Sequence, residues 1–166
     1  LHAPWLRIYA TTDVLGVELA GAAKNVIAIA AGMCDGLGLG DNAKSAVLAR
    51  GLAEITRLGE AMGAQAETFF GVAGVGDLAT TCFSPHGRNR TFGQALGEGE
   101  SPDAFFSRTG STVEGLATAQ SLAALAQRHD VEMPISQMVY RILYEDLQPK
   151  EAVHSLMTRA LKHERQ

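Results

Sequence analysis

The sequence predicts an all-α domain, one long central helix with shorter helices packed around it, seven or eight in total. Three observations lead there. Residues 13–32 are apolar around the whole circumference of a helix and hold no proline; residues 43–62 and 113–127 repeat apolar side chains at intervals of three and four; and no stretch alternates with period two as a half-buried strand does. At 166 residues, 46% hydrophobic and 19% charged, the chain can bury one core, and its length suits a single domain.

The central helix carries a lysine in its middle. Asp13 can cap its start, Gly32 is placed to release its end, and small residues such as Gly16, Ala20, Gly21, Ala23, Ala28 and Ala31 let neighbours approach on several sides. About 20 apolar residues suffice to cross a bilayer. Glu18 and Lys24, however, stand six positions apart, about 240° around the helix, so they cannot shelter each other in lipid and no membrane span is expected. Each then needs a partner from elsewhere in the fold. Lys24 is either a lysine with a buried stem and a surface ammonium, or an ammonium held in a cleft and able to protonate an oxyanion or carbonyl. Asn25 beside it can hydrogen-bond the same ligand.

A formal charge of −4 with no basic block argues against general nucleic-acid or anionic-membrane binding and leaves only a local anion site. Cys34 and Cys82 are far apart and lack metal-ligand spacing, which points to buried free thiols in a reducing cytoplasm and to no metal. The N-terminus has neither the basic head nor the apolar run of a signal peptide, and residues 1–12 read as a connector from a preceding domain. Residues 162–166 read as a charged tail.

Further along, Cys34-Asp-Gly-Leu-Gly-Leu-Gly-Asp-Asn42 follows a helix and not a strand, so its glycines read as a positive-φ turn and not as a dinucleotide fingerprint. Asp35 and Asp41 lack the spacing and closing glutamate of a calcium loop. Asn42 is expected to cap the second helix, residues 43–62, which Gly63 stops; its Arg50, Glu54 and Arg57 read as a solvated face. A glycine-rich bend then sets Asp77 at the start of a short helix, as either an N-cap or a carboxylate aimed at Lys24.

Residues 84–91 gather Gly87, Arg88, Asn89 and Arg90 ahead of a helix expected over 91–96. Guanidinium forks and the unpaired N–H groups of a helix start suit a phosphate, an exposed polar loop being the plainer alternative; His86 reads as a loop residue. Ser101 caps a short helix to 107. Glu114 stands in the first turn of residues 113–127 as a dipole or capping residue, Pro134 opens a helix over 135–145, and Pro149 opens the last, to about 157.

Taken together, Gly-Val-Glu-Leu-Ala-Gly-Ala-Ala-Lys24-Asn-Val-Ile-Ala-Ile-Ala-Ala-Gly, Gly-Leu-Gly-Leu-Gly-Asp-Asn42, Gly-Val-Gly-Asp77-Leu, Gly87-Arg-Asn-Arg and Val113-Glu-Gly resemble the C-terminal substrate domain of NAD(P)-dependent glycerol-3-phosphate dehydrogenases, from about Ile8 to Leu161. The resemblance implies the helical fold of the 6-phosphogluconate dehydrogenase C-terminal type over residues 13–161. It also implies reversible hydride transfer between sn-glycerol 3-phosphate and dihydroxyacetone phosphate with NADH or NADPH. Lys24 would be the proton acceptor or donor, with Asp77 lining the same catalytic site. Lys24, Asn25, Asp77, Thr81, Gly87, Arg88 and Asn89 would contact substrate. Arg88, Thr112 and Glu114 would contact a cofactor held mainly by an N-terminal Rossmann domain. Bacterial members commonly carry serine where this chain has Gly87, which leaves only a backbone N–H there. The implied partners are a small phosphorylated substrate and the Rossmann domain, with a homodimer open, and the chain without a dinucleotide site is expected to be inactive alone. Two other readings stay open on the residues: the helical domain of a related hydroxy-acid dehydrogenase, and a non-catalytic helical binding module.

Overall fold

The computed structural model describes residues 3–160. Its helices are α1 (Val14–Gly36), α2 (Gly40–Met62), α3 (Ala66–Phe69), α4 (Asp77–Phe83), α5 (Arg88–Gly97), α6 (Pro102–Thr109), α7 (Gly115–Arg128), α8 (Pro134–Tyr144) and α9 (Pro149–Met157). A π-helical turn, Val72–Gly76, joins α3 to α4. Among the described residues, the remainder is turns and irregular chain with one isolated antiparallel bridge between Ala3 and Leu6. The first two residues of the expected connector and the charged tail at 162–166 lie outside the described residues.

The axis is α1, with Val26, Ile27, Ala28, Ile29 and Ala31 fully buried and α2, α4, α5, α7 and α8 all packed on it. A helix that is apolar on every side finds its place at the centre of a core. This is how a segment with the length and hydropathy of a membrane span comes to lie inside a helical domain. Glu18 is exposed, so the expectation that it needs a partner in the fold is corrected; Lys24 alone looks inward.

Gly32 does not end the helix, which runs on to Gly36. Its glycine serves a different need. A Cβ at Gly32 would fall on the Arg90 carbonyl oxygen, one at Gly36 on that of Gln94, and one at Gly93 on that of Ile29, while one at Gly97 would lie 2.7 Å from the Met33 oxygen. Two glycines about one turn apart on each helix thus let the α1 and α5 backbones touch.

Gly38 (φ 68°) and Gly40 (φ 80°) make the left-handed turn expected between α1 and α2. The second helix nevertheless starts at Gly40 behind Leu39, which makes no side-chain cap, so Asn42 is an exposed residue inside the helix and not its cap. Gly63 ends α2 in the left-handed conformation, as expected.

Glu54 is not part of a solvated face. It is 2% exposed, and its Oε1 accepts from Ile135 N at 2.7 Å while Oε2 accepts from Ser136 N at 3.1 Å and Ser136 Oγ at 3.0 Å. Pro134 opens α8, and the N–H groups after it have no partner within the helix; a carboxylate from α2 supplies one. Burial pushes the Glu54 carboxyl above its ordinary value, opposed by these bonds. Cys34 and Cys82 are buried free thiols, and burial pushes Cys82 up to about 12, so it stays protonated.

Asp13 caps α1 through Gly16 N at 3.0 Å, as expected, and its Oδ2 also accepts from Gln65 N at 3.0 Å and from Thr68 Oγ1 at 2.6 Å. One carboxylate therefore ties the start of α1 to α3. The Thr68 hydroxyl, followed by the Gln65 and Gly16 N–H groups, holds its carboxyl below the ordinary 3.8. A depressed folded value gives stability that is complete above the unfolded value and lost as pH falls through the folded one. Asp13→Asn is expected to lower the urea midpoint at neutral pH, with the two proteins converging as the pH falls below 3.8 and through the depressed folded value. Midpoints that differ by the same amount at every pH would assign the acid lability to another group.

Candidate active site

The π-turn positions the first acid. Gly74 lies so close to the Phe69 backbone that a Cβ would fall on its carbonyl oxygen, and the fully buried Phe69 ring is pressed on Gly59 of α2. The chain emerges from this bend with Asp77 as the first residue of α4, making no cap bond; its Oδ2 instead accepts from Lys24 Nζ. Of the two roles read for Asp77, the N-cap is thereby overturned. Thr81, one turn on, donates from Oγ1 to the Asp77 carbonyl at 2.7 Å and lies 3.4 Å from Oδ1. The Lys24 and Asp77 side chains are 22% and 40% exposed, so the ammonium is held yet open to a ligand.

The next residues on α1 and α5 continue the line. Asn25 Oδ1 accepts from Asn89 Nδ2 at 3.0 Å, and Asn89, itself buried, accepts at Oδ1 from Gly115 N at 2.9 Å and reaches Glu114 Oε2 with Nδ2 at 3.4 Å. Arg88 Nη2 pairs with Glu114 Oε1. Asp77, Lys24, Asn25, Asn89, Arg88 and Glu114 thus form one connected band from α4 across α1 and α5 to α7.

Glu114 is the residue just before α7, which begins at Gly115 and not at 113, and it caps nothing with its side chain. Thr112 is exposed in the run leading to it. Gly87 is the residue before α5, and its N–H goes to Ser84 O at 3.3 Å. A Cβ there would meet the Thr81 oxygen at 3.4 Å, an ordinary contact, so a serine has room.

The fifth helix starts three residues earlier than expected, and that divides the two arginines. Positions 88 and 90 are about 200° apart around a helix. Arg88 is 57% exposed beside Asn89, whereas Arg90 is 14% exposed with Nη2 against Asp35 of α1. Read as a loop, both arginines suited one phosphate; on a helix only Arg88 stands in the band with Asn89 and Glu114.

Residues 13–154 match the family described as NAD-dependent glycerol-3-phosphate dehydrogenase C-terminus. The chain belongs to that family. Glycerol-3-phosphate dehydrogenase (NAD(P)+) 2 of Salinibacter ruber is 54% identical over 159 residues, 96% of this chain and 46% of that protein. Among solved structures, glycerol-3-phosphate dehydrogenase from Coxiella burnetii matches with a TM-score of 0.91 at 47% identity, over 96% of this chain and 49% of that one. GPD1 from Saccharomyces cerevisiae matches with a TM-score of 0.82 at 30% identity, over 92% and 45%. The chain spans about half the length of these dehydrogenases and corresponds to their helical C-terminal domain.

Two features escaped sequence reasoning: the turn of Arg90 away from Arg88, and the close approach that the glycines of α1 and α5 allow. The repeated spacing of Gly32 with Gly36 and of Gly93 with Gly97 was the available signal for the second. Nothing in the local sequence separates Arg90 from Arg88 once both are placed in a loop.

Proposed function

We propose that this domain is the substrate half of an oxidoreductase that interconverts sn-glycerol 3-phosphate and dihydroxyacetone phosphate with NAD(P)H, its other half being an N-terminal Rossmann domain. The Asn25–Asn89 hydrogen bond carries this reading, because it fixes a proton donor, Lys24, beside an anion-binding helix start. The first α5 bond runs from Thr91 N to Gly87 O, so the N–H groups of Arg88, Asn89 and Arg90 have no partner within the helix and, with the Arg88 fork, suit a phosphate.

A nicotinamide cofactor fits the outer edge of the band. Arg88 and Glu114 are each about half exposed and offer a donor fork and an acceptor, with Thr112 next to them, for phosphates and ribose hydroxyls. When bound, the cofactor supplies the hydride. The residues of this chain do the rest. As negative charge grows on the ketone oxygen, the Lys24 ammonium stabilises it and then protonates it; in reverse, neutral Lys24 takes the hydroxyl proton. Asp77 aims the ammonium and Thr81 braces Asp77. The Asn25 and Asn89 amides, engaged with each other, set the spacing between Lys24 and Arg88, while Gly87 leads the chain into the phosphate-binding turn. The buried thiols suit a reducing cytoplasm.

A full-length enzyme carrying this domain is expected to oxidise NAD(P)H when given dihydroxyacetone phosphate, and the 166-residue chain alone is not. Arg88→Lys should raise the KM for the phosphate substrate by about tenfold or more while melting close to the parent, since a point charge replaces a planar fork. Preference for a non-phosphorylated hydroxy acid would move the domain to a related dehydrogenase, and a full-length protein inert to both substrates would make it a binding module.

A further inference from the structure

Asp35, in the last turn of α1, holds two cations. Lys44 Nζ of α2 donates to its Oδ1 at 2.7 Å, and Arg90 Nη2 of α5 lies 2.6 Å from its Oδ2; the three side chains are 18%, 7% and 14% exposed in that order. Asp41 approaches Lys44 Nζ at 3.7 Å from the surface. The same ammonium stands 4.8 Å above the ring of Phe83, the last residue of α4. One carboxylate therefore joins α1, α2 and α5 directly and the end of α4 through Lys44.

Stability is a weak reason for this cluster. Buried ion pairs return little beyond their desolvation, and here neither Arg90 Nε nor Asp35 Oδ2 completes a hydrogen bond. The geometric consequence is larger. Arg90 directly follows Arg88 and Asn89 in the first turn of α5 and points about 200° away from Arg88, toward α1. Its hold on Asp35 sets how far the opposite side of that turn, with Arg88, stands out into the site.

We propose that Arg90, anchored by Asp35, is a positioning residue for the phosphate-binding start of α5; this rests on the dehydrogenase reading above. Lys24 sits eleven residues before Asp35, about 16 Å along α1, and Asp77 sits at the end of α4 away from Phe83. Loosening Arg90 therefore shifts the phosphate grip and leaves the proton donor in place.

In a full-length enzyme, Arg90→Lys keeps the charge and loses the guanidinium whose Nη2 reaches Asp35, and Asp35→Asn keeps an acceptor for Lys44. Arg90→Lys should raise the KM for dihydroxyacetone phosphate about tenfold with kcat within about twofold, and Asp35→Asn should do the same to a smaller extent. An unchanged KM in both folded variants, or kcat falling as far as KM rises, overturns the positioning role. If Arg90→Lys does not fold, the same split in Asp35→Asn decides. If the parent enzyme does not act on dihydroxyacetone phosphate, the dehydrogenase reading fails by itself, and calorimetry with sn-glycerol 3-phosphate decides the role of Arg90. Weaker binding to Asp35→Asn than to the parent then keeps it, and equal or absent binding ends it.

Discussion

Lys24→Ala, made in a full-length enzyme carrying this domain, is expected to lower dihydroxyacetone-phosphate reduction by about four orders of magnitude with the fold intact. Proton transfer by a positioned group contributes roughly a hundredfold to ten-thousandfold, and stabilisation of a developing oxyanion adds to it. The fold should survive because Asp77, the partner left behind, is 40% exposed and returns to water without burying an unpaired charge. Steady-state rates with circular dichroism on the same preparation check both halves. A loss below about tenfold would make Lys24 a structural lysine and require another proton donor.

Gly93→Ala is expected to destabilise the domain by about 3 kcal/mol or more, read as a fall in the urea midpoint. At an open position in a helix the same change is favourable by about 1 kcal/mol, and Gly21→Ala, with nothing within 4 Å of the new Cβ, should show that gain. At Gly93 the new atom meets the Ile29 carbonyl, part of a helix backbone that cannot turn aside as a side chain can. The two helices must separate, and the Asn25–Asn89 bond that depends on their contact separates with them. A midpoint equal to that of the parent would show that α5 slides off α1 without cost and that the glycines do not set the spacing of the site.

The features legible in the sequence are those written in local spacing. The all-apolar central helix, the Asp13 and Ser101 caps, the prolines opening α8 and α9, and the glycine turn after α1 could each be read within one or two helical turns. The pairing of Lys24 with Asp77 was legible as one of two readings of each residue, because a charge in an apolar helix calls for its opposite; the same rule failed for Glu18, which faces solvent. Contacts between distant parts of the chain were not legible. Glu54 caps a helix that begins 80 residues later, and nothing near it in the sequence distinguishes it from a solvated glutamate. The early start of α5 was hidden because Gly87 makes no side-chain cap to announce it, and the separate fates of Arg88 and Arg90 followed from that. Gly32 shows the converse: a residue usually found at helix ends stands inside one, because another backbone occupies the place of its side chain.

The central helix has a consequence for biosynthesis. It is 23 residues long, its most apolar 18 residues have a mean hydropathy of 1.6, and the helix packed most closely on it, α5, is complete only at Gly97. At a synthesis rate of about 5 to 20 residues per second, the roughly 60 residues between the two take about 3 to 12 s to make. For that interval the face of α1 that α5 will cover stays open on the nascent chain, on an apolar segment long enough to enter a bilayer or to join another chain. Shielding that face until α5 arrives is work suited to the ribosome surface and to chaperones.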